Sequence, residues 1–231
     1  MFQGKSKALT FSFDDGVTQD RRMVKLLNQY GLKATFNLNS GLFGQKHVLD
    51  TQYGKIDHSE VEAQEVNALY RGHEIAVHTR THPNLTELSE PDILQQVEED
   101  RLALERLAGS PIVGMAYPCG GVNNDDRVAE ILRRGTPIRY ARTIAENHSF
   151  SPQKNLLRFD PTAYFLNLET LFSLAESFLS APAESPRIFY IWGHSYELDY
   201  ENSWEKFEAF CKLVSGREDV FYGTNREVLL G

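Results

Sequence analysis

The sequence predicts an α/β fold of parallel strands joined by helical crossovers, and two observations lead there. Short apolar runs alternate with capped amphipathic stretches along the whole chain. About seven or eight such units follow one another in residues 1–231 with no linker or repeat between them. That number favours one domain closed as a barrel, regular or distorted, over an open doubly wound sheet.

The elements run as follows. Ala8 to Phe13 forms the first strand, and a helix over Thr18 to Tyr30 places Met23, Leu26, Leu27 and Tyr30 on one face, with Gly31 as its stop. Ala34 to Leu38 is a strand, and residues 41–57 show no clear period, as in loops that cover active sites. Ser59 with Glu62 reads as a capping box for a helix ending near Gly72. Glu74 to Val77 is a short strand, and Ser89 and Asp92 open the longest helix, closed near Gly109. Ile112 to Tyr117, Ile138 to Thr143 and Leu156 to Phe159 read as strands, with a helix from Asn124 to Arg134, closed by Gly135, after the first of them. Asn167 to Ser180 is helical, Arg187 to Trp192 a strong strand, and Ser203 caps a last helix to Gly216 before a strand near Val220 to Tyr222.

Composition narrows the function. The formal net charge of −8, without a basic stripe, excludes nucleic acid as the expected partner. No apolar run reaches the roughly 18 residues of a membrane span. Met1 to Lys5 lacks the apolar core of a signal peptide, so the expected location is cytoplasmic as written, or secreted or cell-wall-associated with the leader removed. The two cysteines, Cys119 and Cys211, make no CxxC pair, so any metal ligands are His and carboxylates.

The unexpected polar residues gather at the carboxyl ends of the strands. Asp14 and Asp15 follow the first, His78 and His82 the third, and Pro118-Cys119-Gly120-Gly121 the fourth; Arg142 ends the fifth, Asp160 the sixth and His194 the seventh. In a barrel these ends share the face that bears the chemistry. Adjacent strand side chains point to opposite faces, so Asp14 and Asp15 share a site only where the strand turns, which Gly16 permits; the other reading is a strand ending in an Asx turn. On a straight strand residues four apart lie about 13 Å apart at about 3.3 Å per residue. To meet one ion His78 must therefore end its strand and His82 lie in the turn beyond, before Pro83; otherwise they are a surface pair. His194 suits a general acid or a hydrogen-bonded structural role. Arg142 is an ion-pair residue or an orienting partner for a carboxylate, Trp192 a core residue or a sugar platform, and Tyr196, Glu197 and Asp199 groove residues or an ordinary polar loop.

Together these residues resemble the polysaccharide deacetylases, the fourth family of carbohydrate esterases. Ser12-Phe13-Asp14-Asp15-Gly16 matches that family's first motif, His78-Thr79-Arg80-Thr81-His82 its second and Ile191-Trp192-Gly193-His194 its fifth, in the family's order over about residues 10–200. The resemblance implies a distorted (β/α) barrel of about seven strands. It also implies Asp14 as base, Asp15, His78 and His82 as ligands of one divalent ion (zinc, with cobalt, nickel or manganese as alternatives), and His194 as acid.

Two motifs depart from the pattern. Ala116 stands where the third motif, Ala116-Tyr117-Pro118-Cys119-Gly120, has an arginine that holds the base, and Arg142 is the candidate to replace it. Cys119 takes a position whose backbone N–H stabilises the oxyanion. The fourth motif, near Asp160 to Tyr164, lacks its second aspartate, which tunes the catalytic histidine. The implied reaction is removal of acetyl from an N-acetylated sugar, with Tyr117, Pro118, Trp192 and Tyr196 as substrate contacts and the acetyl methyl near Ile191 and Trp192. Alternatives are hydrolysis of a small cyclic or ureido amide, sugar O-acetyl esterase activity, and non-catalytic carbohydrate binding.

Overall fold

The computed structural model describes residues 2–182 and 185–231, without the side chains of residues 201 and 202. Its elements in chain order are β1 (Lys7–Asp15), α1 (Asp20–Gln29), β2 (Ala34–Leu38), β3 (Val48–Thr51), β4 (Gly54–Asp57), α2 (Val66–Leu69), β5 (Glu74–Val77), α3 (Glu90–Ala108) and β6 (Gly114–Ala116). Then come α4 (Asp126–Gly135), β7 (Tyr140–Arg142), β8 (Ala163–Tyr164), α5 (Leu168–Ser180), β9 (Arg187–Gly193), α6 (Trp204–Val214), β10 (Val220–Tyr222) and α7 (Asn225–Leu230).

The main sheet is parallel, in the order β7-β6-β5-β2-β1-β9-β8. One edge of β1 pairs with β9; the other is shared, β10 lying beside Lys7–Leu9 and β2 beside Phe11–Asp15. The sheet curls until its two ends approach each other. Phe159 bridges to Arg142 of β7, and four residues on, Ala163 pairs with Ile191 of β9. This is the distorted (β/α) barrel.

The two faces of β1 show how the sequence produces it. Leu9, Phe11 and Phe13 face outward into the main core, where Phe11 and Phe13 meet Phe207 of α6 edge-on at 6.0 and 6.3 Å. Each buried aromatic of this kind contributes about 1.5–3 kcal/mol. Thr10, Ser12 and Asp14 face inward. Thr10 Oγ1 donates to Asn225 Oδ1, and Asn37 of β2 donates to both Ser12 and Asp14. The barrel lumen is thus a hydrogen-bonded polar column, which buried polar groups require.

Several expectations from sequence need correction. Helix α2 is one turn, preceded by a 3₁₀ turn at Ala63–Glu65, and the capping box is Glu62 with Glu65. Ser59 instead bonds Asp57, because Glu60 bridges to Val17 and Thr18 N donates to Ser59 O, holding this stretch extended. Leu156–Arg158 is a 3₁₀ turn, and only Phe159 pairs with the sheet; Pro161, with no N–H to donate, stands before the short strand β8. Helix α4 begins later, capped by Asp125, and takes Gly135 into its last turn. Ser203 precedes α6 without a side-chain cap, its hydroxyl donating to Tyr200 O. The strands expected at 112–117 and 138–143 shorten to β6 and β7. The patternless stretch 41–57 contains the β3–β4 hairpin, and α7, held by a Thr224–Glu227 capping box, follows the last strand.

Candidate metal centre and active site

The carboxyl ends of the strands surround a cavity of about 490 Å³. Asp15 has φ 77°, Gly16 φ 70°, Thr79 φ 68°, His82 φ 62° and Cys119 φ 69°. Left-handed backbone at four non-glycine residues is costly and collects at functional sites. At Asp15 it reverses the strand, so consecutive carboxylates reach one cavity. At Thr79 and His82 it folds the chain back, and His82 N donates to Thr79 Oγ1 at 3.1 Å.

The side chains of Asp15, His78 and His82 converge, with one ligand atom from each lying within 4.8 Å of the others. Asp15 Oδ1 stands 3.5 Å from both His78 Nε2 and His82 Nε2. It is buried and has no hydrogen-bond partner, an arrangement that a cation completes. His78 Nδ1 donates to Ala116 O at 2.9 Å, which leaves Nε2 bare and aimed at the gap. Asp100 of α3 accepts from Ser40 N and His78 N, fixing the loops after β2 and β5; burial raises its carboxyl to about 7. Burial, with His78 adding, lowers His82 to about 4, so it is neutral and able to ligate at neutral pH. Burial opposes ionisation of Asp15, but His194, His58, His78 and His82 outweigh it and hold the carboxyl far below its usual range.

Asp14 lies alongside, its Oδ2 at 3.9 Å from His78 Nε2. Arg142 comes from β7, four strands away in the sheet, and crosses the lumen to pair with Asp14 Oδ2; Asn37 donates to Oδ1 at 2.7 Å. Arg142 is fully buried, with its guanidinium 4.5 Å over the Trp192 ring. His194 Nε2 is 3.9 Å from Asp15 Oδ2, and its Nδ1 is 3.2 Å from Glu197 Oε2. Glu197 also accepts from the His194 backbone N–H and from Tyr164 OH. Burial pulls His194 down, but the charges of Glu197 and Asp15 prevail and raise it to about 10. Cys119 N–H points toward His82 Nε2 at 3.5 Å. Burial, then Glu87 and Asp15, push its thiol up, so it is no thiolate nucleophile.

Tyr117, Trp192 and Tyr196 line the cavity. Pro118 does not: it is buried behind the loop, its carbonyl accepting from Asn123. Ile191 also lies elsewhere, because strand alternation turns it into the outer core, and Ile144 supplies an apolar wall instead. Asp160 bonds Thr143 away from the cavity, and Asp199 is tied to Trp204 and Gln19. Sequence reasoning missed His58 and Glu60 altogether and read Glu197 as a groove or loop residue, not as the partner of His194. The usable signals were local: an acid three residues after His194, and a His-x-Glu pair just past the patternless stretch.

A family model described as polysaccharide deacetylase matches residues 3–134, more than half of the chain. The chain belongs to the polysaccharide deacetylase family. This is a family of hydrolases of the N-acetyl amide bond, a carbon–nitrogen bond other than a peptide bond, and it is generally metal-dependent. No curated protein matches.

Solved structures of deacetylases share the fold. The chitin deacetylase of the fungal pathogen Colletotrichum lindemuthianum is 19% identical over 98% of this chain and 88% of its own, with a TM-score of 0.63. The Streptococcus pyogenes deacetylase PplD, in complex with acetate, is 21% identical over 64% of this chain, with a TM-score of 0.53; the chain spans 61% of that protein's length. BA3943 of Bacillus anthracis, a pseudoenzyme of the same esterase family, is 15% identical over 97% of this chain and 66% of its own, with a TM-score of 0.56. Among the described residues no helix is long and apolar enough to cross a membrane.

Proposed function

We propose that residues 1–231 form one catalytic domain that removes acetyl from an N-acetylated sugar, with a divalent ion, zinc by its donor set, held by Asp15, His78 and His82. The observation that carries this reading is the partnerless Asp15 Oδ1 facing two histidine nitrogens, with a second, arginine-held carboxylate beside it. Sugar binding alone needs no such base, so the retained set argues against a pseudoenzyme. When bound, the cation supplies Lewis acidity toward the acyl oxygen and the attacking water.

The residues of the chain do the rest. Asp14 takes the proton of the attacking water, and Arg142 and Asn37 keep its carboxylate aimed at the cavity. Cys119 N–H is a fixed donor for the tetrahedral oxyanion. His194 protonates the departing amine, with Glu197 holding its far nitrogen. Trp192, Tyr117 and Tyr196 provide the walls against which the sugar and its acetyl group pack.

The test is acetate release from a panel of N-acetyl and O-acetyl sugars. Chelator is expected to abolish release and added zinc to restore it; turnover that persists in the stripped protein overturns the metal reading. Release from O-acetyl substrates alone would make the enzyme an esterase. A second result concerns pH. His194 acts protonated, so activity falls as pH rises through its pKa. Glu197 raises that pKa, so Glu197→Gln lowers it and moves the alkaline limb of the kcat profile to lower pH. An unmoved limb removes Glu197 from this role.

A further inference from the structure

The loop leaving the β3–β4 hairpin brings His58 to the side of Asp15 that faces away from His78 and His82. His58 Nε2 is 3.1 Å from Asp15 Oδ2, while Oδ1 of the same carboxylate faces the two ligand histidines. The other ring nitrogen of His58 is 3.8 Å from Glu60 Oε1. Glu60 is a buried carboxylate, 5% exposed, and its Oε2 has no hydrogen-bond partner. The Tyr196 ring packs edge-on against His58 at 4.6 Å. Backbone bonds lock this segment to the strand that carries Asp15: Val61 N donates to Gly16 O and Thr18 N to Ser59 O.

We propose that His58, backed by Glu60, is a positioning residue that fixes the Asp15 carboxylate for the cation. The physical need is clear. A carboxylate on a turn rotates about its terminal torsion and offers either oxygen. A donor on Oδ2 selects Oδ1 for the ion and preorganises the site before the ion arrives. Ligating carboxylates are commonly held in this way, and loss of such a partner weakens binding about 10–100-fold. The hairpin has a second consequence. The stretch without sequence periodicity supplies a wall of the cavity, and the residues directly after it supply the restraint on the metal ligand.

This inference rests on the metal site proposed above, and zinc affinity separates the two. Competition with a colorimetric chelator measures it in the full chain, independently of turnover. His58→Ala is expected to weaken zinc binding about 10–100-fold. His58→Gln, which keeps a donor, recovers part of the loss, and Glu60→Gln gives a smaller one. Tyr53→Ala, which breaks the hairpin's ring contact with Tyr200 without touching His58, leaves the affinity unchanged. Wild-type affinity in His58→Ala overturns the positioning role. So does a loss as large as that of His82→Ala, which would make His58 a ligand. A wild-type chain that takes up no zinc ends the metal-site reading and this inference with it.

Discussion

Replacing Asp14 with Asn is expected to lower kcat for acetate release about 10²–10⁴-fold, the usual span for a lost general base, while zinc content stays at the wild-type level. The two readouts divide because the two carboxylates have separate partners. Asp15 faces His78, His82 and His58, whereas Asp14 is held by Arg142 and Asn37. Rates from initial velocities and metal analysis after dialysis check it. Equal loss of zinc and activity would place Asp14 among the ligands, and unchanged turnover would remove it from the mechanism.

Removing Arg142 is expected to have the largest effect on stability. Arg142→Met leaves Asp14 buried, 2% exposed, without its counter-charge. Breaking a buried pair from one side costs about 3–5 kcal/mol. Urea denaturation followed by circular dichroism measures the loss. Combining Arg142→Met with Asp14→Asn recovers much of it, since no unpaired charge then remains. Additive losses would show that the pair is not coupled.

The fold was largely legible, because the outward residues of the strands are apolar and the helices carry their own start and stop signals. Leu9, Phe11 and Phe13 mark β1 as clearly as Gly109 marks the end of α3. The lumen was not. Thr10, Ser12, Thr35 and Asn37 are polar residues set among apolar ones, yet all are fully buried, and their hydrogen-bond partners lie up to 215 residues away. Strand ends were overextended where a single bridge suffices, as at Phe159. The Asp14, Asp15, His78 and His82 cluster was visible because motif spacing is local. Arg142 was reachable only as the nearest strand-end cation, because its meeting with Asp14 depends on the sheet curling. His58 and Glu60 stood at the start of a stretch read as a helix, whereas the structure holds them extended against Val17 and Thr18, and Glu197 was three residues past a histidine whose turn could not be foreseen.

The backbone at Asp15, Thr79, His82 and Cys119 has a consequence for how this centre tolerates change. Each of these residues lies in a conformation that its own side chain resists, Thr79 most of all because it is β-branched. The centre is therefore a sprung clasp, kept cocked by the surrounding barrel and by Asp100 beneath it. Random drift at these four positions would relax the backbone toward sturdier proteins that have lost the proposed ion site. Durability and grip are opposed here, and selection for thermal tolerance alone would be expected to erode the site from its turns before it touched the strands.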